Sequence, residues 1–205
     1  ILFRQYQLKI YGLPYRHREA RKVLFHHRPD KGESVMPKTL AQIYDIQYTA
    51  CNEDIDIDNS CDLYLILGAG ILSEDCVKGK KIINCHPGII PSSRGLDSFK
   101  WSLYMMRPLG VTLHFIDEEV DSGQIISVVP TTVYWSDNLE NLALRHYRNE
   151  IKCLCQFEEH LANPNNPFEG VEEFKAKMRM PYAQELELEN VFDLYKKKYA
   201  VSKID

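Results

Sequence analysis

Two polar side chains with catalytic potential lie two positions apart in the segment Ile83–Gly95, which reads INCHPGIIPSSRG. In an extended chain, this spacing places the Asn84 amide and the His86 imidazole on the same face of the strand. An amide can stabilise negative charge that develops on a carbonyl oxygen, and an imidazole can donate or accept a proton. Because Pro87 disfavours a helical conformation at His86, we expect both groups at the end of a strand.

A carboxylate from a later loop completes the candidate group. The segment His114–Ile126 reads HFIDEEVDSGQII and places Asp121 before a Ser-Gly pair. An acid near a histidine can orient the ring, stabilise its charged form or accept a proton. An amide, an imidazole and a carboxylate together suit acyl transfer to a neutral amine, and this chemistry needs no covalent nucleophile.

Each of these residues also has a purely structural interpretation. Asn84 could cap the end of a strand, His86 could be a satisfied surface histidine, and Asp121 fits the turn chemistry of Asp-Ser-Gly. His114 lies within a predicted strand and fits packing and a site role equally well. Cys85 points to the opposite strand face from its two neighbours, which favours a small buried filler over a nucleophile.

The elements that must position these residues alternate between strands and helices. Apolar runs predict strands at Val23–His27, Asp62–Gly70, Lys80–Asn84, Gly110–Ile116 and Gln124–Trp135. Helical spacing predicts helices at Lys38–Tyr48, at Ile71–Val77 with a Ser73 cap, at Leu96–Met106, and over a long segment after Asp137. This alternation predicts an α/β fold with a mostly parallel or mixed twisted sheet, helices on both faces and a ligand site beyond the carboxyl ends of the strands.

Three further side-chain expectations come from the helical segments. Trp101 lies off the apolar face of its helix, so it could border a substrate pocket or a dimer interface. Asp137 and Glu140 have the spacing of a capping box at the start of the long helix. His146 lies in that helix and is expected to be solvated.

Composition indicates one α/β domain and a small appendage within the 205 residues. We assign residues 1–162 to a catalytic domain and residues 163–205 to a linker and a C-terminal helical appendage. A formal charge of −4 gives no reason to expect a nucleic-acid partner, and no apolar run reaches membrane-spanning length. Six cysteines without a CxxC pair favour reduced thiols in a cytoplasmic protein and argue against a metal site.

The segment from Leu65 to Ile126 resembles the formyltransferases that use N10-formyltetrahydrofolate. The shared pattern is Asn-x-His-Pro at a strand end, then Pro and Arg-Gly, a Gly-x-Thr-x-His strand, and an Asp-x-x-x-Asp-x-Gly loop. All of these parts occur here in order. The resemblance implies a Rossmann-like formyltransferase fold, formyl transfer from the folate to an amine, and no requirement for a metal.

The resemblance also implies roles for individual residues. By it, Asn84, His86 and Asp121 are the catalytic trio, with the amide and the protonated imidazole stabilising the oxyanion of a tetrahedral intermediate. The implied folate contacts are Gly70, Ile71, Leu72, Val77, Ile82, Asp117, Glu118, Glu119 and Val120. The implied contacts to the amine substrate are Pro87, Gly88, Arg94 and Gly95.

Three amine acceptors occur among the proteins that the chain resembles. Methionyl-tRNA ranks lowest, because that substrate calls for a large basic C-terminal domain. Glycinamide ribonucleotide, the acceptor in purine synthesis, fits the size of the chain. The Ser-Ser-Arg-Gly turn with Arg94 and the C-terminal appendage favour a nucleotide-linked amino sugar, as used for the O-antigen of lipopolysaccharide. A folate- or nucleotide-binding module without turnover is the alternative of another class.

Two features are left open by the sequence. Residues Ile1–Lys22 do not clearly show the strand and glycine-containing loop with which the family usually begins, so this start is expected to be divergent or incomplete. A homodimer is one assembly that the sequence allows.

Overall fold

The computed structural model describes residues 6–15, 20–26, 28, 35–116 and 123–201. The strands are β1 (Lys9–Gly12), β2 (Gln47–Ala50), β3 (Tyr64–Leu65), β4 (Ile82–His86), β5 (Gly110–Phe115), β6 (Ile125–Pro130), β7 (Val133–Tyr134) and β8 (Ala200–Val201). The helices are α1 (Pro37–Ile43), α2 (Glu74–Val77), α3 (Ser98–Tyr104), α4 (Leu139–Cys155), α5 (Phe157–Ala162) and α6 (Tyr182–Tyr199), with a 3₁₀ helix at Asp54–Asp56.

The strands form a four-stranded sheet in the order β3-β4-β5-β6 and two separate strand pairs, β1-β2 and β7-β8. The pairs β1-β2, β3-β4 and β7-β8 are parallel, whereas β4-β5 and β5-β6 are antiparallel. The predicted α/β fold is therefore present with a mixed sheet. Pro130 ends the edge strand β6, which is a position that tolerates a residue without an N–H group.

The two faces of the central sheet differ in polarity. On one face, Ile83 and Cys85 of β4 pack with Leu113 of β5 against Cys153 of α4 and Phe157 of α5. Because side chains alternate along a strand, the other face of the same two strands carries polar residues. The sheet thus buries an apolar face under the helices and turns a polar face toward the loops that follow β4.

The C-terminal helix α6 is part of the main apolar cluster. Leu188 and Tyr195 of α6 are fully buried in one cluster with Phe99 and Leu103 of α3 and Leu142 of α4. Burial of Tyr195 raises the pKa of its phenol. The division of the chain at residue 162 remains a prediction, but α6 shares a core with the helices that precede that boundary.

Several local predictions were wrong. Residues 23–26 form no strand, and the Phe25 ring instead packs edge-on against Phe99. Strand β1 was missed because its four residues carry little apolar pattern. The start of α4 is capped by Asn138, whose side chain accepts a hydrogen bond from the Asn141 N–H, and not by a capping box.

Asp137 makes a different contact from the predicted cap. Its carboxylate accepts two hydrogen bonds of 2.6 Å from Arg145 and one of 2.8 Å from the Tyr134 N–H. Burial opposes ionisation of Asp137, but these donors outweigh it and lower the pKa of the carboxyl. His146 is also buried rather than solvated, and its Nδ1 lies 2.9 Å from Thr131 Oγ1.

The predicted cap of α2 is confirmed. The Ser73 hydroxyl accepts a hydrogen bond from the Cys76 N–H at the start of the helix. Among the described helices, none has the length and apolar character that crossing a membrane demands. Within the same described ranges, no group of three His, Cys, Asp or Glu side chains is arranged to hold a metal ion.

Candidate active site

Strand β4 places the first two candidate residues as the sequence predicts. Asn84 and His86 lie on its polar face, because Ile83 and Cys85 occupy the buried apolar face between and beside them. In the antiparallel ladder, Asn84 pairs with His114 and His86 pairs with Thr112. The polar face of β4 and β5 therefore brings two histidines and an asparagine together.

The His114 imidazole determines the orientation of the Asn84 amide. His114 Nδ1 lies 3.0 Å from the carbonyl oxygen of Phe115, which can only accept a hydrogen bond. In the neutral ring, His114 Nε2 is then an acceptor, and it lies 3.3 Å from Asn84 Nδ2. His114 is 1% exposed and contacts Asn84, an arrangement that fits both a packing role and a place beside the site.

His86 lies between strand β4 and the start of helix α3. Its Nε2 is 2.8 Å from the carbonyl oxygen of Ser93 and 3.1 Å from Ser98 Oγ. The Ser98 hydroxyl in turn donates a hydrogen bond of 2.9 Å to the Gly95 carbonyl. His86 is 4% exposed, which excludes the alternative that it is a surface histidine.

The loop from residue 87 to residue 97 is held against β5 by Thr112. The Thr112 hydroxyl donates to the Gly88 carbonyl at 2.7 Å and accepts from the Ile90 N–H at 3.1 Å. Gly88 lies so close to the ring that a Cβ atom there would be 2.4 Å from Ser93 O and 2.8 Å from His86 Nε2. Only glycine fits this position without displacing the site.

The segment before α6 pairs with the other side of this loop. The Leu96 N–H donates to the Lys177 carbonyl at 2.8 Å, and the Lys177 N–H donates to the Arg94 carbonyl at 3.0 Å. The Trp101 indole donates to the Met178 carbonyl at 2.7 Å. Trp101 is thus buried against the C-terminal segment and does not border an open pocket.

The predicted substrate contacts occupy this loop. Gly95 has a φ angle of 87°, and a Cβ atom there would lie 2.3 Å from the Lys177 carbonyl oxygen. Arg94 Nη1 is 2.9 Å from Glu173 Oε1, so its guanidinium is already engaged by the C-terminal segment. The Pro87 carbonyl oxygen lies 3.3 Å from His146 Nε2. The roles of Pro87, Gly88, Arg94 and Gly95 toward a substrate remain predictions.

The predicted folate contacts fall into two groups by exposure. Gly70, Ile71 and Leu72 follow β3 in an open loop, where Ile71 is 84% exposed. Val77 and Ile82 are buried, at 7% and 3% exposure. The roles of these five residues toward a folate remain predictions.

The remaining candidates, Asp121 and the loop residues Asp117, Glu118, Glu119 and Val120, lie outside the described residues. The convergence of Asp121 with His86 stays a prediction. Sequence reasoning missed Ser98, Ser93 and Thr112, because a serine in a helix start or a threonine in a strand has no distinctive spacing. Their only signal is position, since they follow or pair with the His86 region.

Cys85 behaves as the sequence predicts for a buried filler. Its side-chain hydrogen bond with Cys153 and its burial raise the pKa of the Cys85 thiol well above its usual range. A thiol that resists ionisation is a poor nucleophile. The Asn84 amide and the His86 imidazole therefore remain the candidate groups for chemistry on strand β4.

Comparison with known proteins relates this site to one family. Residues 63–157 match the Formyl transferase family. Formyltetrahydrofolate deformylase 2, mitochondrial, from Arabidopsis thaliana is 37% identical over 89 residues, which cover 42% of this chain and 27% of that protein. Phosphoribosylglycinamide formyltransferase from Bacillus subtilis is 32% identical over 89 residues, covering 43% of this chain and 46% of that protein.

One solved structure resembles most of the chain. It is the formyltransferase PseJ from Anoxybacillus kamchatkensis, in complex with UDP-4,6-dideoxy-4-formamido-L-AltNAc and tetrahydrofolate. The TM-score is 0.52 at 23% identity, over 80% of this chain and 92% of that one, and this likeness shows the fold. The chain spans less than half the length of the two sequence relatives. Residues 63–157, a little under half of the chain, therefore carry the similarity to the Formyl transferase family.

Proposed function

We propose that this protein transfers a formyl group from N10-formyltetrahydrofolate to the primary amine of a nucleotide-linked amino sugar. The main structural support for formyl transfer is the contact between Asn84 and His114 on the polar face of β4 and β5. Asn84 lies two residues before His86 on the same strand. The matched domain contains all of these residues. A module that only binds folate would have no need of an oriented amide beside a buried imidazole.

The choice of a sugar acceptor rests on the loop at Arg94 and on the C-terminal segment. Backbone hydrogen bonds join Leu96 and Arg94 to Lys177, so this segment is built into the site loop. The solved formyltransferase complexed with a formamido nucleotide sugar resembles the chain over 80% of its length. The similarity to the two sequence relatives covers a smaller share of the chain, 42% and 43%. An N-formyl sugar for a surface polysaccharide is the product that follows.

The proposed reaction has a balanced set of bond changes. The neutral amine forms a C–N bond to the formyl carbon while the carbonyl π electrons move to oxygen. The Asn84 amide and protonated His86 stabilise that oxygen. The C–N10 bond then breaks with its electron pair on N10, and a proton passes from the former amine to N10. We assign the support of this proton transfer to Asp121, and the products are a formamide and tetrahydrofolate.

The test is an assay with the full chain, N10-formyltetrahydrofolate and separate acceptors. The acceptors are UDP-, dTDP- and GDP-linked amino sugars, glycinamide ribonucleotide, and buffer alone. Tetrahydrofolate, formate and the formylated acceptor are measured in each reaction. The His86→Ala variant serves as the inactive control, with its folding checked by circular dichroism.

Each outcome assigns the function. A formylated sugar, absent with His86→Ala, supports the proposal. Glycinamide ribonucleotide as the one acceptor would replace the sugar by the purine intermediate. Formate in buffer alone would indicate hydrolysis, the activity in the name of the Arabidopsis relative. Folate binding without any product from a folded chain would identify a binding module.

A further inference from the structure

Two groups that can accept a hydrogen bond contact the Nε2 atom of His86. The Ser93 carbonyl oxygen at 2.8 Å has no proton to give. The Ser98 hydroxyl at 3.1 Å uses its single proton for the Gly95 carbonyl, at 2.9 Å. An unprotonated Nε2 would place its lone pair against the lone pairs of the Ser93 carbonyl, in a buried site where such a clash is costly.

We infer that Ser98 and the Ser93 carbonyl are positioning groups that keep a proton permanently on His86 Nε2, so that the ring gains and loses its second proton at Nδ1. The inference deepens the proposed function, because it states which ring nitrogen takes part in the proton transfers. It also gives a role to Ser98, a residue that no motif marks.

The surrounding packing makes this arrangement rigid. Ser98 is 1% exposed and Ser93 is 4% exposed. The Ser93 hydroxyl donates a hydrogen bond of 3.2 Å to the Ser98 carbonyl, which fixes the peptide that presents the Ser93 carbonyl. Gly88 closes the other side of the ring at a distance that leaves no space for a side chain. Rotation of the ring to exchange its two nitrogens would break both contacts at Nε2.

The position of the His86 ring relative to Asn84 explains why a fixed proton on Nε2 matters for the reaction. Asn84 and His86 share one strand face, and the loop that carries Ser93 and Ser98 holds the far nitrogen of the imidazole. A histidine that could use either nitrogen would spend part of its time in the wrong tautomer for the reacting atoms. The Ser98 contact removes that alternative before any substrate binds.

The first test reads the tautomer directly and needs no substrate. Long-range ¹H–¹⁵N spectra of the ¹⁵N-histidine-labelled full chain are recorded across neutral and alkaline pH, with His86 assigned by comparison with His86→Gln. We expect a protonated Nε2 and an unprotonated Nδ1 when the ring is neutral. A neutral ring with its proton on Nδ1, or an even mixture of tautomers, would overturn the inference.

The second test separates Ser98 from its neighbour on the same helix. Ser98→Ala removes an acceptor of His86, whereas Ser102→Ala removes an equally buried hydroxyl that contacts Ser93 Oγ. We expect Ser98→Ala to lower kcat about fivefold at unchanged KM, the rate equivalent of one ordinary hydrogen bond, and to shift the His86 Nε2–H resonance. Ser102→Ala should leave kcat within about twofold and the His86 Nε2–H resonance unshifted. Ser98→Thr should return kcat and the resonance to their wild-type values.

The two tests distinguish failure of the inference from failure of the proposed function. Equal resonances and equal kcat values for the two serine variants would exclude Ser98 as a positioning residue, even if the enzyme transfers formyl groups. If no acceptor is formylated, the proposed function fails, while the spectra of the wild type and Ser98→Ala still decide the tautomer. Urea unfolding of both serine variants shows that the comparison is made between folded proteins.

Discussion

Asn84 on β4 and His114 on β5 face each other across an antiparallel pair, with Asn84 Nδ2 3.3 Å from His114 Nε2. The Phe115 carbonyl holds the proton of His114 on Nδ1, so Nε2 accepts from the amide. The nitrogen of the amide is thereby identified, and its second N–H makes no hydrogen bond among the described residues. An otherwise ordinary strand pair thus presents an oriented donor.

This relationship predicts a large effect of Asn84→Asp. The substitution keeps the shape of the side chain but replaces the donor by a carboxylate that repels an oxyanion and cannot donate to His114. We expect kcat to fall by about 10²–10³, the range for loss of one oxyanion donor, with little change in folding. Steady-state formyl transfer and circular dichroism measure the two effects.

The matched control is Asn149→Asp on α4. Its amide contacts Thr131 Oγ1 at 3.3 Å and the Pro130 carbonyl at 3.4 Å, on the edge-strand side of the sheet. The same chemical change there should leave kcat within about threefold, because these contacts involve none of the candidate site residues. Equal losses for both variants would show that Asn84 acts through stability or net charge rather than as a donor.

A second prediction concerns Gly88. In Gly88→Ala the new methyl group would lie 2.4 Å from Ser93 O and 2.8 Å from His86 Nε2, and both distances are too short to persist. The ring and the Ser93 carbonyl must move apart, and a shift of about 1 Å in a catalytic group can lower kcat about 100-fold. Turnover and the His86 ¹⁵N spectrum of the variant measure the displacement.

Gly70→Ala is the control for the loss of a glycine as such. A Cβ atom at Gly70 would contact nothing within 4 Å in the open loop, so the free energy of unfolding should not fall. A Gly88→Ala protein with wild-type kcat and an unchanged His86 spectrum would contradict the close packing described for the site.

The sequence predicted the position of Asn84 and His86 because strand periodicity and the following proline are local signals. It could not predict the surroundings of His86, since Ser93 and Ser98 meet the ring only when the loop folds back over the strand end. His146 was misplaced for a related reason. Its helical position appears exposed in the sequence, but α4 lies on β4 and β5 and brings the ring to Thr131.

The C-terminal segment shows the same limit on a larger scale. Its charged composition suggests an appendage, yet Met180 and Leu188 are fully buried with Phe99. Lys177 pairs with the residues around Gly95 through backbone hydrogen bonds. Every residue has these backbone groups, so the pattern of side chains in the sequence does not indicate the pairing. Long-range contacts of this kind can be found only from the folded structure.

A third prediction concerns Asp54 and the loop that precedes α2. The Asp54 carboxylate accepts hydrogen bonds from the Ser73 N–H at 2.6 Å and from the Ser73 hydroxyl at 3.0 Å. The Ser73 N–H hydrogen bond is the main cause of a lowered pKa of Asp54, below its usual 3.8. Because the pKa is lower in the folded protein, the stabilisation is complete above the unfolded pKa and is lost as pH falls through the folded pKa.

Urea unfolding of Asp54→Asn and the wild type between pH 2 and pH 7 tests this sign. The difference in the free energy of unfolding should be constant above about pH 5 and should shrink below about pH 4. Asp75→Asn makes the same charge change in the first turn of α2, at a side chain without a hydrogen bond among the described residues. A difference that grows toward low pH, or an identical profile for both variants, would contradict the role of Asp54.

The final prediction concerns the buried ion pair between α3 and α6. Lys100 Nζ lies 2.9 Å from Glu185 Oε2, and both side chains are 0% exposed. Glu185 also accepts a hydrogen bond of 2.8 Å from the Leu24 N–H and lies 3.3 Å from Arg21. Because Glu185→Gln leaves the Lys100 charge buried without its counter-ion, we expect the free energy of unfolding to fall by about 3–5 kcal/mol.

The exposed pair of Asp193 and Lys196 on the same helix supplies the control. Asp193 Oδ1 lies 3.1 Å from Lys196 Nζ, but the Asp193 side chain is 80% exposed, so Asp193→Asn should change the free energy of unfolding by less than about 0.5 kcal/mol. Replacing both buried charges, in Lys100→Met with Glu185→Leu, should recover most of the loss from Glu185→Gln, because no unpaired charge then remains. If the double variant is less stable than Glu185→Gln, the ion pair itself, rather than the penalty for an unpaired lysine, holds α6 against α3.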